Sequence, residues 1–355
     1  MNGMDADERL QAVLKRIEAP NKEMAEEAKR RSDHLTKPPG SLGKLEHIAK
    51  QAAGITGELW PDLSKRAVVV MAGDHGVCAE GISAFPQEVT PQMVMNFLNG
   101  GAAVNVLARQ ASAEVICVDI GVAEELEHPK LVSRKLMKGT SNMAVGTAMS
   151  RETAIAAILI GVAIVEEAVE RGVRMFATGE MGIGNTTASA AITSILAGLP
   201  PEHTVGRGTG IDDETLLHKI KIVERSIAVN RPDSDDGIDV LSKVGGLEIA
   251  GLVGVILGAA ANRCPVVIDG YISSAAAIVA SRLSSHAHAY MIASHLSQEK
   301  GHGKLLETIG LTPLLQLDMR LGEGTGAVLC FHLIDAALLL MQEMATFDSA
   351  GVSKQ

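Results

Sequence analysis

The sequence predicts an α/β fold in which a parallel sheet is covered by helices and approached through a helical N-terminal segment. Three observations predict it. From residue 65 onward, short β-branched or apolar runs alternate with helical patterns, as parallel strands require because each crossover needs room for a helix. The polar and glycine-rich turns follow these runs rather than precede them, and open α/β sheets bind ligands at the carboxyl ends of their strands. Residues 4–57, by contrast, show helical periodicity without a convincing strand.

Taken in order, the N-terminal pattern breaks at Pro20 and at the KPPGSLG turn of residues 37–43, which gives two or three helices. The predicted strands are 67–72, 115–120, 174–178, 265–269, 290–293 and 317–321. The turns behind them read GDHG, DIGVAEE, GEMGIGNTTAS, GYISS, SHLSQEKGHG and GEGTGA. Residues 122–145 are polar and form a hairpin or an excursion, and 200–214 is a glycine-rich loop ahead of another helix. A last helical stretch, 331–345, is placed to return onto the N-terminal helices and complete a small helical unit.

Composition bounds the function. Of 355 residues 46% are apolar, enough for a large core, but aromatic residues are only 2%, so Ala, Val, Ile, Leu and Met must fill it. The net charge of −10, with no basic stripe, argues against a nucleic-acid partner, so an anionic ligand must be held locally. Cys78, Cys117, Cys264 and Cys330 are far apart and form no Cys-x-x-Cys pair, which favours reduced, buried thiols in the cytoplasm. The charged N-terminus lacks the apolar core of a signal peptide, and the most apolar stretches, 155–165 and 252–261, are too short to span a membrane.

Several motifs carry chemistry. Gly179-Glu180-Met181-Gly182-Ile183-Gly184-Asn185-Thr186-Thr187 follows a strand and opens an alanine-rich helix, so a phosphate can sit on the free helix N–H groups beside the threonine hydroxyls. It is neither a dinucleotide fingerprint, since Thr187 replaces the third glycine, nor a P-loop, and a plain strand-to-helix turn with threonine caps stays open. Glu180 and Glu323 each stand beside glycines after a strand, which lets a carboxylate face a ligand closely; the bland alternative is stabilisation of the next helix start. Asp74-His75-Gly76 reads as structural hydrogen bonding, because no partner at ligand spacing supports a metal. His286 and His288 read as surface residues. No nucleophile elbow is present, and Lys219, whose default is a solvated helical lysine, is one point charge available to a phosphate.

Together these segments closely resemble the nicotinate-nucleotide:dimethylbenzimidazole phosphoribosyltransferases. The motifs that carry the resemblance are LTKPPGSLGKLE at 35–46, GDHGV at 73–77, NMAVGTAMSR at 142–151, GEMGIGNTT at 179–187, RPDSDDGIDVLSKVGG at 231–246, VVIDGYISSAAA at 266–277, SHLSQEKG at 294–301 and MRLGEGTGA at 319–327. The resemblance implies a Rossmann-like parallel sheet flanked by helices in a large domain, residues 61–330. It also implies a small helical domain from both termini, 1–60 with 331–355, and a homodimer. The implied reaction joins nicotinate mononucleotide and 5,6-dimethylbenzimidazole into α-ribazole 5′-phosphate with release of nicotinate, without cofactor or metal. Carried over by motif, Glu323 is the general base and Glu180 a second active-site carboxylate. Gly182, Gly184, Asn185, Thr186, Lys219, Gly270 and Ser297 are substrate-binding, largely on the phosphate side. Phe85 and Met93 stand where the best studied family pattern has serine and glutamine, which makes the acceptor pocket more apolar. Two other classes compete: a nicotinamide-dependent oxidoreductase, against which the missing third glycine argues, and a non-catalytic nucleotide-binding regulator.

Overall fold

The computed structural model describes residues 5–208 and 210–353; the ends of the expected helical unit (1–4, 354 and 355) and Thr209 of the glycine-rich loop lie outside the described residues. The N-terminal segment forms α1 (Ala6–Arg16), α2 (Lys22–Asp33) and α3 (Lys44–Thr56). Asp5 and Glu8 make a reciprocal capping box on α1, and the Asn21 side chain caps α2. The sheet follows as β1 (Arg66–Gly73), β2 (Ala113–Gly121), β3 (Val132–Ser133), β4 (Met175–Met181), β5 (Val266–Ile268) and β6 (Met291–Ala293). Its order is β3-β2-β1-β4-β5-β6 and every pairing is parallel, which is the Rossmann-like sheet expected. The strand order reverses between β1 and β4, so a crevice opens beyond their carboxyl ends.

Between the strands run α4 (Val89–Leu98), α5 (Ala103–Gln110), α6 (Arg151–Glu170), α7 (Asn185–Leu196), α8 (Pro201–Thr204), α9 (Asp213–Asn230), α10 (Gly237–Val244), α11 (Leu247–Ala261), α12 (Tyr271–Leu283) and α13 (His302–Ile309). The chain ends in α14 (Thr325–Glu343) and α15 (Phe347–Ala350). On one face of the sheet, the buried side chains of α6, α7, α11 and α12 form a single core with Val69, Met71 and Phe176. On the other, α3, α5 and α14 pack over Val68, Val70 and Ala177. Helix α14 is long and apolar enough to cross a bilayer, but half of it is buried against α3, α5 and the sheet, as a core helix would be. It packs on α3 and α2, and Leu35 bridges Thr346, whereas α1 lies on α6 and α11.

One local expectation fails. Residues 317–321 form no strand: Leu317 and Leu321 are 51% and 55% exposed, and the segment's backbone is tied through the Gln298 N–H, which donates to the Met319 carbonyl. No bridge pairs residues 317–321, and Asp318 adopts φ +54°, incompatible with an extended run. The sheet's sixth member is instead β3, inside the polar excursion. The piece holding His286 and His288 is a helical turn, and both residues lie at the surface, as expected.

Candidate active site

The carboxyl ends of β1, β4 and β5, with the segments that follow them, enclose a cavity of about 470 Å³. Each site residue expected from the sequence borders it: Phe85, Met93, Glu180, Gly182, Gly184, Asn185, Thr186, Lys219, Gly270, Ser297 and Glu323. Residues as far apart in sequence as 85 and 323 meet there because the sheet delivers their turns to one edge.

Glu180 is next to last in β4 and 5% exposed. The Asn185 side-chain amide donates to its Oε2 and the Glu323 N–H donates to its Oε1, the latter at 3.4 Å. Burial, followed by repulsion from Asp269 and Glu248, pushes its carboxyl up to about 8. Glu323 has left-handed backbone, φ +65°, between Gly322 at +83° and Gly324 at +88°. Glycine is required on both sides: a β-carbon on Gly322 would lie 2.4 Å from Glu180 Oε1, and one on Gly324 would lie 2.6 Å from Val68 Cγ2. A side-chain-bearing residue in this region costs about 1–2 kcal/mol, so the surroundings must hold Glu323 there. Burial, followed by Asp269, pushes the Glu323 carboxyl up to about 7.

Asp269 directly follows β5 and is 2% exposed. Its Oδ2 accepts the Gly324 N–H at 3.1 Å and its Oδ1 accepts the Ala327 N–H at 3.0 Å, so its carboxylate caps α14. Burial holds its pKa above the usual carboxylate range. Sequence reasoning passed over Asp269. The available signal was an aspartate between a strand and Gly270, in the same position that singled out Glu180.

Away from the carboxylates the cavity turns towards anions. Helices α7 and α12 start at Gly184 and Gly270 with no side-chain cap, whereas Ser150 and Asp212 cap α6 and α9. In α7 the Asn185 and Thr187 N–H groups donate to the Gly182 and Gly184 carbonyls at 3.1 and 2.9 Å, so the Thr186 N–H and the first-turn N–H groups of α12 are the ones available to a ligand. Lys219 on α9 is not the solvated lysine that its helical setting suggested. It is 2% exposed, its Nζ donates to Thr186 Oγ1 at 2.7 Å, and burial, opposed by Glu299, pushes it down to about 8. Among the other lining residues that went unpredicted are Ser273 and Glu299, whose Oγ and Oε2 are buried without a partner, and Arg320, which donates to the Gly208 carbonyl at 3.3 Å. Unpartnered buried oxygens at a cavity wall are acceptors and donors waiting for a ligand.

The remaining wall is apolar, formed by Ile82, Phe85, Val89, Met93, Met181, Ile183 and Leu321, with Phe85 51% exposed. Asp74 and His75 stand outside the cavity lining and are structural, as expected. Asp74 Oδ2 accepts the Ala123 N–H at 2.8 Å, and His75 Nε2 meets Glu248 Oε1 at 2.7 Å with both residues buried. Burial opposes a charged His75 ring, but the Glu248 carboxylate outweighs it and holds the histidine above its ordinary pKa. Among the described residues, no group of three or more His, Cys, Asp or Glu is arranged to hold a metal ion.

A family model described as a phosphoribosyltransferase matches residues 17–352. The nicotinate-nucleotide–dimethylbenzimidazole phosphoribosyltransferase of Desulforamulus reducens is 56% identical over 347 residues, 97% of this chain and 99% of that relative. Its counterpart in Chloroflexus aggregans is 58% identical over 329 residues, 92% of this chain and 93% of the relative. The crystal structure of the enzyme of that name from Thermus thermophilus superimposes with a TM-score of 0.89 at 46% identity, covering 94% of this chain and all of that one. With the family model and these relatives spanning nearly its full length, the chain belongs to the nicotinate-nucleotide–dimethylbenzimidazole phosphoribosyltransferase family.

Proposed function

We propose that this protein transfers the phosphoribosyl group of nicotinate mononucleotide to 5,6-dimethylbenzimidazole, giving α-ribazole 5′-phosphate and nicotinate for the lower ligand of cobalamin. The observation that carries the reading is one cavity bordered by three buried carboxylates, Glu180, Asp269 and Glu323, an anion-binding face and an apolar wall. The unprotonated azole nitrogen attacks the anomeric carbon as the bond to nicotinate breaks, and that electron pair returns to the pyridinium nitrogen. Attack opposite the β-linked leaving group gives the α-linkage. The other azole nitrogen sheds its proton to Glu323, which at about pKa 7 is a base matched to neutral pH. Glu180 faces the pyridinium ring of the donor, whose local positive charge favours its ionised form, and it then stabilises the oxocarbenium charge that develops on the ribose.

The 5′-phosphate sits where α7 and α12 open, lined by Gly182, Gly184, Asn185, Thr186 and Gly270, with Lys219 and Ser297 beside it. Holding the phosphate fixes the ribose against the azole, and such positioning supplies much of the acceleration. Phe85 and Met93 join the apolar wall that receives the flat acceptor, favouring bases without polar substituents. The protein acts as a homodimer in the cytoplasm. The dimer rests on family resemblance; the location is supported by Cys78, Cys117, Cys264 and Cys330 being free, and the net charge of −10 argues against a nucleic-acid partner.

Chromatography of purified protein with nicotinate mononucleotide, with and without 5,6-dimethylbenzimidazole, tests the reading. Nicotinate and α-ribazole phosphate should appear in equal amounts only when both substrates are present. Nicotinate released equally without the acceptor, or a donor bound but never consumed, would contradict it.

A further inference from the structure

We propose that Asp269 is the positioning residue for Glu323: by accepting the Gly324 and Ala327 amides it clamps the start of α14 and fixes the left-handed turn that presents the Glu323 carboxylate. The inference rests on Glu323 being the base. Both Asp269 oxygens are engaged by backbone N–H groups, at 3.1 and 3.0 Å, so although the residue borders the cavity its carboxylate is committed to α14. The first of those amides belongs to the residue after Glu323. On the other side of the turn, the Glu323 N–H is held by Glu180, and the Glu323 carbonyl lies where a β-carbon on Gly179 would approach to 2.5 Å. Glu323 is thus located from β4 on one side and from Asp269 on the other.

Asp269 is itself a fixed reference. Its N–H donates to Thr178 Oγ1 on β4 at 3.2 Å, and the Ser294 hydroxyl behind β6 donates to its carbonyl at 3.2 Å. His295 Nδ1 lies 3.9 Å from its carboxylate. A helix cap can be merely structural, so the electrostatic setting matters as well. The titratable and charged groups around Glu323 are Glu180, backed by Glu248, Asp269 beside His295, and Lys219, Glu299 and Arg320 elsewhere on the cavity wall. After burial, the like charge of Asp269 is what raises the Glu323 carboxyl. One residue therefore fixes the place of the base and adds to the effect of burial on its readiness.

The test uses Asp269→Asn, Asp269→Glu and Glu323→Gln singly, and the double variant Asp269→Asn with Glu323→Gln, in the full-length protein. Misplacing a catalytic group by about an ångström costs up to about 100-fold, so Asp269→Asn should lower kcat about 10- to 100-fold while leaving donor KM within about twofold. The acid limb of its kcat profile should move to lower pH, because a like charge has been removed. Asp269→Glu keeps the charge but displaces the oxygens, so kcat should fall with the limb unmoved. The double variant should be no slower than Glu323→Gln within about twofold, since there is no base left to position. Multiplying losses in the double variant, an unmoved acid limb in Asp269→Asn, or failure of both Asp269 variants to fold would overturn the assignment. Retained activity in Glu323→Gln alone would instead remove the base reading on which it rests.

Discussion

Glu323 and Lys219 are displaced from their ordinary protonation equilibria in opposite directions, to about 7 and about 8, and their overlap sets the pH window of the reaction. Glu323 must be ionised to accept a proton, so activity should rise with pH through about 7. Lys219 must be charged to hold a phosphate, so donor affinity should fall above about 8. The product is a bell-shaped kcat/KM profile with a narrow top, and a flat profile from about pH 6 to 9 would contradict it. Lys219→Ala should weaken donor binding about tenfold or more, the scale of a charged hydrogen bond, with a smaller effect on kcat; unchanged affinity by calorimetry would remove Lys219 from the phosphate site. Glu180 and Glu323 were legible in the sequence because glycines flank them, although only Glu180 stands at a strand end, the strand expected ahead of Glu323 being absent. Asp269 was not, because its meaning depends on amides 55 and 58 residues away. The burial of Lys219 was equally hidden, since a lysine on a helix gives no sign of which way the helix will face.

At the scale of elements, small residues do what aromatic side chains do in other cores. Helices α6 and α11 cross at Gly161 and Gly254, where added β-carbons would lie 2.0 Å from the Gly251 carbonyl oxygen and 1.9 Å from the Ile158 carbonyl oxygen. The backbones touch there, leaving no room for a side chain at either glycine. Gly254→Ala should therefore destabilise by about 1–3 kcal/mol through overpacking, read as a lower denaturant midpoint at unchanged slope. The strands from 67 to 293 were legible because each is a short buried run ended by a turn. Residues 317–321 mimicked that pattern, but burial, not alternation, makes a strand, and these residues lie outside the sheet. The excursion at 122–145 hid β3 for the opposite reason: two residues are too few to leave a periodicity.

For the whole molecule, the site is maintained at a cost to stability that depends on pH. The Glu180 carboxyl is raised to about 8 from its ordinary value of 4.5, so the folded state holds its proton more tightly than the unfolded chain. Its contribution is fully present below about 4.5 and is lost as pH rises through about 8. Glu180→Gln should therefore gain thermal stability relative to the parent as pH rises across that window, in ligand-free protein; a constant difference would contradict the account. The parallel sheet and the convergence of its turns were legible as one fold, since ligand-bearing turns followed the strands, but the order of the strands was not. The cavity's unpartnered Ser273 and Glu299 oxygens became visible only once the backbone had closed around them.

The claim on which the chemistry depends is that Glu323 takes the azole proton. The most direct measurement is kcat for Glu323→Gln with both substrates saturating, beside donor affinity for the same variant. Turnover lowered about 100- to 10,000-fold with donor affinity unchanged is the predicted result. Near-parental turnover in that variant would contradict it.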